Sequence, residues 1–517
     1  MRKMIAHKSL VWVFHTFVFV VCYCSAYSQM NNTWLIGNQP LANVLKARMV
    51  FTDTSYSFNT ELRKMTFEGT EATISDANGN LLMSSNGVWI ADATGDTMMN
   101  GSGLNPSWDV NAHPRGLLND GSNIFLPLPN DSNKYILIHE AYFDTVFNYS
   151  YGGGVHLSKI DIVANGGLGA VISKNDTLID DKLTMGLTAC RHANGRDWWV
   201  IAQKDSSDIV YKILITPNGV DTITTQNLGY NQFFYGNGSL IHFSQDGTKF
   251  IQSNYHYVAG NLHPSFVILA DFDRCTGMFS NTQTIQLTQD SYLWGLAFSP
   301  SGKYAYACSS LYLFQINTDS LTVDTVATYD GFYSPYSWCC ATTFWTMYLA
   351  ANGKIYMTSG NGVQHIHEMN YPDSTGVACD LQQHAINLGV WSFRAVPNHP
   401  NYYLGCDTTQ TTCPCLVTGI KELSQHDFRF KIMPNPTNGN FKIMYLLPQN
   451  SKGIFEVFDI TGKKVFNYNL PQWSTLQNFD LSFLGNGIYH CSIKSGNYYV
   501  QKKLAIIRYS TIRILKW

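Results

Sequence analysis

The chain has 517 residues, of which 45% are hydrophobic, 14% aromatic and only 14% charged. This length is roughly two to four times that of a typical domain, and the apolar fraction can fill a large core, so a mainly disordered protein is excluded. Residues 29–415 contain 18 basic and 31 acidic residues, which excludes the basic surface of a nucleic-acid-binding protein. Residues 416–517 contain 13 basic and 5 acidic residues, so the charge divides unevenly along the chain.

The first 28 residues have the organisation of a secretory signal peptide. Three basic residues among the first eight precede an apolar run at 10–24, and Ala26 and Ser28 supply small residues just before Gln29. This pattern predicts cleavage between Ser28 and Gln29. The apolar run is shorter than the ~20 residues that a membrane-spanning helix needs, and no later stretch is long and apolar enough to span a membrane.

Between residues 30 and 405 the sequence is typical of short β-strands joined by tight turns. Runs of alternating apolar and polar residues, as in LIHFSQDGTKFIQSN and MYLAANGKIYMTSG, are separated by Asn-Gly, Asp-Gly or Ser-Gly pairs. Gly and Asn tolerate the positive φ that two-residue hairpin turns require. Six such turns recur, at residues 77–80, 130–133, 193–196, 245–248, 300–303 and 351–354.

The third residues of these six turns are separated by 53, 63, 52, 55 and 51 positions. A period of about 50 residues is typical of four-stranded units arranged around an axis, as in the blades of a β-propeller. We therefore predict an all-β chain with a propeller at 29–405, of seven blades, with six and eight remaining open. Two unrelated β-sandwiches are the alternative. The segment from Trp391 to Tyr402 is expected to pair with Trp34–Ile36 and close the ring.

Residues 406–428 have the composition of a linker, with many threonines and few bulky apolar residues. Cys406, Cys413 and Cys415 lie within it, and disulfides are allowed in an exported protein, so these cysteines are candidates for stapling the segment. Residues 429–508 then alternate again between apolar and polar positions, with Asn-Gly, Thr-Gly and Ser-Gly turns. This predicts a second unit, a small antiparallel β-sandwich.

Three short motifs occur in order within this second unit. They are Pro434-Asn435-Pro436 with Gly439, the hairpin of Asp459, Gly462 and Lys463, and Gly487-Ile488-Tyr489 with the later Lys503. Each motif alone also fits an ordinary turn or strand start. In this order, the sequence from Phe430 to Ile507 resembles the type A C-terminal sorting domain of proteins that the type IX secretion system of Bacteroidetes exports.

This resemblance implies that the C-terminal unit directs the export of the chain. It implies passage through the outer membrane by way of the type IX translocon, followed by removal of the domain and release or surface attachment of the rest. Residues 509–517 extend beyond the point where such domains tend to end, so this tail is either an added strand or a departure that affects recognition. More loosely, the main body resembles uncharacterised propeller-like proteins of WD or YVTN repeat type, which implies no particular substrate.

The richest group of chemically capable side chains in the main body consists of His192, Arg196, Asp197, Trp198 and Trp199. The indole rings can stack on apolar faces of a glycan or peptide, with the His and the charged pair as polar contacts. In the alternative, structural interpretation, an Asn-Gly pair makes a turn, Arg196 pairs with Asp197 and the indoles pack between blades. The structural interpretation is favoured, and ligand contact remains open.

Other polar groups give weaker indications of chemistry. His365 and His367 share one face of a predicted strand, but a metal site needs a third ligand, and neither His384 nor Asp380 has supporting spacing. Residues 76–80 imitate the beginning of a calcium loop without its later glutamate. The sequence therefore predicts no metal site, no cofactor and no identifiable catalytic residue.

Two functions follow as hypotheses. The first is a secreted or surface-attached binding module that holds a glycan, a peptide or an envelope partner through loops at one end of the propeller channel. The second is an exported glycan-active hydrolase or lyase on the same scaffold, with carboxylates contributed by several blades. A body that is acidic and has few charges fits a neutral polysaccharide or a cationic partner better than an anionic polymer.

Overall fold

A computed structural model describes most of the chain, namely residues 29–39, 44–144, 150–230, 240–255, 265–288, 292–336, 339–409, 412–416, 430–445, 447, 452–470, 476–495 and 498–508. The predicted signal peptide at 1–28, the tail at 509–517 and most of the predicted linker lie outside these residues. Those three interpretations therefore stay predictions.

The described residues form β-strands and turns almost throughout, which confirms the predicted all-β fold. The described helices are short: α1 (Trp108–Ala112), α2 (Ala164–Gly167) and one 3-10 turn (Gly376–Cys379). Antiparallel strands that follow one another in chain order form separate sheets at residues 33–63, 241–288, 295–328 and 347–392, and the strands at 72–227 form one twelve-stranded sheet. Within that sheet, three four-stranded antiparallel groups are joined by single residue pairs, Met99 with Ala170 and Gly152 with Leu183. We number the resulting groups as sheets 1 to 7, of which sheet 1 has three strands and the others have four each.

The strands of sheets 1 to 3 are β1 (Thr33–Ile36), β2 (Val44–Phe51), β3 (Tyr56–Arg63); β4 (Ala72–Ser75), β5 (Leu81–Ser85), β6 (Trp89–Asp92), β7 (Thr97–Ser102); and β8 (Asn123–Pro127), β9 (Lys134–Asp144), β10 (Ser150–Asp161), β11 (Ala170–Ile179). The strands of sheets 4 and 5 are β12 (Leu183–Arg191), β13 (Trp198–Lys204), β14 (Ile209–Thr216), β15 (Gly219–Asn227); and β16 (Ile241–Phe243), β17 (Lys249–Tyr255), β18 (Ser265–Asp273), β19 (Met278–Thr288). The strands of sheets 6 and 7, with the hairpin β24–β25 between them, are β20 (Gly295–Phe298), β21 (Tyr304–Cys308), β22 (Tyr312–Asn317), β23 (Val323–Thr328); β24 (Tyr333–Tyr336), β25 (Cys339–Ala341); and β26 (Met347–Leu349), β27 (Ile355–Met357), β28 (Val363–Met369), β29 (Leu381–Ser392).

These sheets surround a central channel as the blades of a β-propeller. The first strands of neighbouring sheets lie against one another, from β1 through β4, β8, β12, β16 and β20 to β26, and β29 of sheet 7 contacts β2 of sheet 1. Buried side chains fill the interfaces between sheets; Trp34 and Phe51 of sheet 1, for example, pack on Tyr356 of sheet 7. The propeller prediction is confirmed, and the number of seven blades stays a prediction.

The recurring turns seen in the sequence have one common position in this fold. Each of the six joins the first strand to the second strand of a sheet, from sheet 2 to sheet 7. Their glycines have positive φ, which explains why glycine occurs there: Gly79 (82°), Gly195 (74°), Gly247 (71°), Gly302 (73°) and Gly353 (76°). Because each sheet is antiparallel, all six turns lie at one end of the ring, the turn face. In sheets 2 to 7 the loops between second and third strands, and the connections that lead into the next sheet, lie at the opposite end, the loop face. β1 of sheet 1 runs the other way, because Asn32, just before it, lies beside Gly79 at the turn face.

The chain passes through its own central channel after the last sheet. Residues 394–405 follow the channel from the loop face to the turn face. Near the loop face, the Asn398 side-chain amide donates to the carbonyl oxygens of Gly121 (2.7 Å) and Leu187 (2.8 Å), which precede or belong to the first strands of sheets 3 and 4. One residue later, the backbone N–H of His399 donates to the hydroxyl of Tyr348 in β26 (3.1 Å).

Nearer the turn face, the same segment contacts the first strands of sheets and the turns that follow them. The Asn401 side chain donates to the carbonyl oxygen of Gln245 (2.6 Å), and the buried Tyr402 hydroxyl donates to that of Phe125 (2.7 Å). A cavity of about 20 Å³ remains between the segment and sheets 4, 5 and 7, which has room for about one water molecule. The channel is therefore filled by the protein itself.

The ring closes at its ends by packing and not by the strand pairing that the sequence analysis predicted. β1 pairs with β2, and residues 393–402 form no strand, so the predicted ladder between this segment and Trp34–Ile36 is wrong. The free edge of β1 meets a side chain, because the Leu35 N–H donates to Glu71 Oε1 (3.1 Å). Ala395 packs in the same buried cluster as Leu35, so the two ends do meet.

Residues 406–409 and 412–416, predicted as the beginning of a linker, are attached to the turn face. Disulfides join Cys406 to Cys415 and Cys275 to Cys413. The backbone N–H of Leu416 donates to the carbonyl oxygen of Asn194 (3.0 Å), next to the turn of sheet 4. The stapling of this stretch is confirmed, but it secures the segment to the propeller, so the first residues of the predicted linker belong to the propeller.

The C-terminal unit is a small antiparallel sandwich, as predicted. Its strands are β30 (Phe430–Met433), β31 (Asn440–Tyr445), β32 (Gly453–Phe458), β33 (Lys464–Leu470), β34 (Leu476–Asp480), β35 (Gly487–Ser495) and β36 (Tyr498–Ile506). They form one sheet in the order β30-β31-β34 and a second in the order β33-β32-β35-β36. The two sheets share one apolar core, in which the rings of Phe455 and Phe479 stack at 4.8 Å.

The channel segment should contribute strongly to the stability of the propeller. We expect Tyr402→Ala to lower the free energy of unfolding by about 3–5 kcal/mol, because it removes a buried ring and leaves the carbonyl of Phe125 without its donor. Urea unfolding of the chain from Gln29 onward measures the loss. The exposed Tyr371 is the matched control, and Tyr371→Ala should stay within about 0.5 kcal/mol of the wild type. Equal effects of the two substitutions would contradict the channel assignment.

Candidate functional site

The structure places the two tryptophans of the predicted ligand site in the core. Trp198 and Trp199 begin β13, and both are buried. The Trp198 indole N–H donates to the carbonyl oxygen of Pro127 in sheet 3 (3.2 Å), and the Trp199 indole N–H donates to that of Arg274 in sheet 5 (3.0 Å). The indoles thus join sheet 4 to both of its neighbours, and neither ring face is open to a ligand.

The remaining members of this group form the turn of sheet 4. The Arg196 guanidinium makes two hydrogen bonds to the Asp197 carboxylate (2.7 and 2.9 Å), and Asn194 Nδ2 donates to Asp197 Oδ2 (2.8 Å). His192 is half-buried and stacks on Trp199, with ring centroids 5.8 Å apart, and burial lowers its pKa. These contacts are the ones that the structural interpretation predicted, namely a turn, a pair of Arg196 with Asp197, and indoles packed between sheets. Ligand binding by this group stays a prediction, with only His192 and Arg196 partly exposed.

A different polar group lies at the loop-face end of the channel. The indole N–H of Trp345, just before sheet 7, donates to Asp120 Oδ2, just before sheet 3 (3.2 Å). The half-buried Trp294, just before sheet 6, stacks on Trp345 at 3.9 Å, and the guanidinium of Arg394 lies 4.7 Å from the Trp345 ring. Asp120, Trp294, Trp345 and Arg394 are named the mouth cluster here, because they meet where the channel segment begins.

The mouth cluster has two polar atoms with no hydrogen-bond partner among the described residues. They are Asp120 Oδ1 and Arg394 Nε, and both are buried. Burial raises the pKa of Asp120 to about 6, although the positive charge of Arg394 and the hydrogen bond from Trp345 act in the opposite direction. A carboxylate that titrates near neutrality beside a guanidinium can accept or donate a hydrogen bond, depending on pH.

Two further carboxylates near the loop face are fully buried. Glu140 accepts a hydrogen bond from the Gly186 N–H (3.0 Å), and burial raises its pKa to about 8. Burial likewise raises the pKa of Glu71, which bonds to the edge of β1, well above its ordinary value. Glu140 is therefore largely protonated at neutral pH, and both side chains lie inside sheet interfaces.

The sequence analysis missed the mouth cluster, although one signal for it existed. Trp294 and Trp345 each precede a turn glycine, Gly302 and Gly353, by eight residues. This shared position in two successive repeats comes just before the first strand, where the chain reaches the channel. Superposing the repeats by their turns would have brought the two tryptophans into register. Asp120 and Arg394 have no comparable signal, since they belong to connections between sheets.

The loop face also carries aromatic side chains away from the channel. Trp108, in α1, is 57% exposed, and Tyr312, at the start of β22, is 40% exposed. Trp89 and Trp391 lie at the same end of the ring and are half-buried. Rings that are apolar on their faces and polar at one atom are common where a protein binds a ligand at a wet surface.

The histidines of β28 do not meet in a metal site within the described residues. His367 is buried and its Nδ1 accepts a hydrogen bond from the His384 N–H (3.1 Å), whereas His365 Nδ1 lies 2.7 Å from the Ser334 hydroxyl. His384 Nε2 lies 3.0 Å from Asp330 Oδ2. No three His, Cys, Asp or Glu side chains of the described ranges are placed to hold a metal ion.

Two other groups have structural roles. Asp76 Oδ1 accepts hydrogen bonds from the N–H groups of Asn78 and Asn80 (both 2.9 Å). Residues 76–80, which imitate the beginning of a calcium loop, therefore form a hairpin turn. Cys339 and Cys340 form a disulfide with each other in β25. Neither group points to catalysis.

In the C-terminal unit, the first motif lies along the edge strand β36. Asn435 Nδ2 donates to the carbonyl oxygen of Lys503 (2.7 Å), and Asn435 Oδ1 accepts from the N–H of Ala505 (2.9 Å). Two residues later, the Thr437 N–H donates to the carbonyl oxygen of Ala505 (2.9 Å), and the carbonyl of Thr437 accepts from the Ile507 N–H (2.8 Å). The motif of Pro434, Asn435 and Pro436 therefore covers a strand edge that would otherwise have unpaired backbone groups.

The other two motifs reach the same end of the four-stranded sheet. Asp459 Oδ1 accepts from the N–H groups of Thr461 and Lys463 (2.9 and 3.0 Å), which fixes the turn between β32 and β33. β32 and β36 both flank β35, and Phe458 is opposite His490, so this turn lies beside the start of β35.

The third motif opens β35 at this end, with Gly487 opposite Ile506 of β36. The buried Tyr489 donates from its hydroxyl to the carbonyl oxygen of Gly485 (3.0 Å). Gly439 packs on Ser482, where a Cβ atom would lie 2.8 Å from the backbone, so that position requires glycine. Motifs that are far apart in sequence thus converge in space.

The burial of Glu140 predicts a specific dependence of stability on pH. The folded state holds a proton on Glu140 up to about pH 8, whereas the unfolded chain releases it near pH 4.3. Stability from this group is therefore complete below about pH 4.3 and falls with rising pH, by up to about 1.4 kcal/mol per unit, until about pH 8. Glu140→Gln should match the wild type near pH 4 and be more stable at pH 8 in urea unfolding. Parallel pH profiles would refute the assignment.

Several solved structures are similar to the main body at low identity. A functionally unknown protein from Desulfotomaculum acetoxidans is 13% identical over 71% of this chain and 99% of its own, with a TM-score of 0.36. A streptogramin B lyase is 9% identical over 72% of this chain and 87% of its own (TM-score 0.30). A gluconolactonase from Xanthomonas campestris is 12% identical over 63% and 91% (TM-score 0.30). At such TM-scores these similarities carry no argument on function.

No curated protein sequence matches the chain. Within the described residues, no helix is long and apolar enough to cross a membrane. Residues 431–507 match the family described as the secretion system C-terminal sorting domain, and they lie within the unit predicted at 429–508. The three motifs described above therefore belong to a sorting domain of the type IX secretion system, which indicates export of the protein and a surface or extracellular location.

Proposed function

We propose that the protein is a cargo of the type IX translocon whose propeller binds a neutral glycan, or failing that a peptide or envelope component, at its loop face. The three ordered motifs support a sorting domain of type A from a Bacteroidetes source. On this proposal, the domain takes the chain through the outer membrane and is then removed, leaving the propeller released or attached to the surface. The propeller itself performs no chemistry.

The filled channel is the observation that carries the binding half of this proposal. Propellers usually provide a ligand with a channel lined by several blades. Here residues 394–405 occupy that space, and the adjoining residues 406–416 cover part of the turn face. A ligand is then best accommodated on the loop face, which carries the mouth cluster and the exposed Trp108 and Tyr312.

The charge of the main body supports a neutral ligand. Residues 29–415 have 13 more acidic than basic residues, so an anionic polymer would be repelled. Aromatic side chains lose little conformational entropy on binding and offer apolar faces, which suits the apolar faces of sugar rings.

A second hypothesis is a glycan-active hydrolase or lyase, and one observation favours it. Asp120 and Glu140 have raised pKa values near the loop face, as a general acid requires. Glu140 is fully buried, however, and Asp120 already bonds to Trp345, so neither carboxylate is presented to a substrate. Turnover of a polysaccharide that Asp120→Asn abolishes would establish this second function in place of the first.

Export should depend on the sorting domain. We expect a chain truncated before Pro434 to fold its propeller and to accumulate in the periplasm of a host that has the type IX system. Immunoblots of the medium, cell surface and periplasmic fractions measure the distribution. Appearance of the truncated chain outside the cell at the wild-type level would contradict the export half of the proposal.

Binding should depend on aromatic residues of the loop face. We expect Trp108→Ala or Tyr312→Ala to weaken binding to a glycan, first identified on an array, by about tenfold, because a stacking contact is worth roughly 0.5–1.5 kcal/mol. The unfolding free energy should change little, since both side chains are exposed. Titration calorimetry with the mature chain measures the affinity.

Tyr371, which is exposed in a turn-face loop of sheet 7, provides the control. Tyr371→Ala should bind the glycan as the wild type does. If all three alanine variants bind equally, the loop face is not the binding surface. Trp198→Ala and Trp199→Ala are unsuitable for this test, because these buried rings hold sheets together and their loss would unfold the protein.

A further inference from the structure

The sorting domain exposes apolar side chains at the end where its motifs converge. The four are Ile460 (79% exposed), Phe483 (67%), Ile488 (52%) and Ile507 (44%). Ile460 is at the tip of the β32–β33 turn, Phe483 is in the loop that leads to Gly487, and Ile488 begins β35 opposite Ala505. Ile507 follows β36 directly. Strand register therefore brings all four to one end of the four-stranded sheet, which we call the motif end.

Basic side chains accompany these apolar ones. Lys463 in the turn and Lys503 in β36 are exposed and make no ion pair within the described part of the chain. Lys464, by contrast, pairs with Glu456 at 2.7 Å. Residues 430–508 contain nine basic and three acidic residues, so the excess positive charge of the domain is available for a partner. An acidic surface on a partner would pair with these positive charges.

The motif end also opens into a groove of about 640 Å³ on the three-stranded sheet. Pro434 and Met433, at the end of β30, form one side, and Asp480, at the end of β34, forms the other. Phe441 and Lys442 lie in its floor. The proline motif thus contributes to the groove while its asparagine secures β36, so one short sequence serves both sheets.

We propose that the motif end is the surface by which the secretion machinery binds this chain, and that the machinery offers it apolar pockets bordered by carboxylates. The inference rests on the export half of the proposed function and assigns it to named side chains. The apolar side chains insert into the pockets, and Lys463 and Lys503 pair with the carboxylates. Exposed apolar side chains that a compact domain gathers at one end are typical of a surface that a partner covers.

The opposite end of the same sheet supplies matched controls. Ile454 is 41% exposed and lies opposite Lys494, at the far end of β32 and β35 from the motif end. Substitutions there change the same residue types in the same sheet. A general effect of charge or of lost apolar surface would appear equally at both ends.

The experiment compares secretion of four full-length variants with the wild type in a host that has the type IX system. We expect Ile488→Glu and Lys503→Glu to lower the secreted amount at least tenfold, with accumulation in the periplasm, and each differs from its control in position alone. Ile454→Glu and Lys494→Glu should remain within twofold of the wild type. Thermal unfolding and trypsin resistance of the purified chains should be unchanged, because all the substituted side chains are at the surface.

Each other outcome overturns the inference. Equal secretion of the motif-end and control variants, or a loss in both, removes the assignment to the motif end. A chain that stops after Arg508 should be secreted normally; a loss on this truncation would instead place the signal in residues 509–517. If the chain truncated before Pro434 is itself secreted, export does not use this domain, and the proposed function fails independently of the surface assigned here.

Discussion

The closure of the ring is the constraint on which the rest of the structure depends. Each four-stranded sheet buries both of its faces against its neighbours, so no sheet is stable until the last one meets the first. Sheet 1 has only three strands, and residues 394–402 run along the channel side of β1, where the other sheets have their first strand. This segment makes few backbone ladder bonds, so other hydrogen bonds hold the ring. They come from the side chains of Asn398, His399, Asn401 and Tyr402 and from the His399 N–H, and they reach sheets 2, 3, 4, 5 and 7.

This manner of closure determines where a ligand can bind. A segment that fills the channel removes the space in which propellers commonly hold small molecules, and the two disulfides at 406–416 secure it where it leaves the ring. Two of the buried polar atoms without a partner among the described residues, Asp120 Oδ1 and Arg394 Nε, lie at the other end, where the segment enters. In the proposed function, ring closure and ligand binding therefore compete for the same axis, which leaves the loop face for the ligand.

The sequence predicted the repeated part of the fold well, because the repeat has a local cause. A hairpin between the first two strands of a blade needs positive φ, so Gly and Asn mark it in six sheets, and their spacing gives the period. The closure of the ring has no local cause. Residues 393–402 contain no alternation that distinguishes a strand from a channel segment, and Glu71, which bonds to the edge of β1, lies 36 residues from Leu35.

The same distinction explains which site residues the sequence could reveal. The group from His192 to Trp199 stood out because its residue types are rare and adjacent, yet adjacency along a strand placed both indoles in sheet interfaces. The mouth cluster brings together residues from positions 120, 294, 345 and 394, and only the two tryptophans share a position in the repeat.

The sorting motifs were visible in the sequence for a different reason, since three short patterns occur together in the order that is typical of a known domain family. In the structure each motif also stabilises the domain, because Asn435 secures the edge strand β36, Asp459 fixes a turn and Tyr489 is buried. These stabilising contacts alone do not require that the motifs meet at one end of the sheet with four exposed apolar side chains around them. A surface that satisfies its own hydrogen bonds and still leaves apolar groups in water is organised for contact with another molecule.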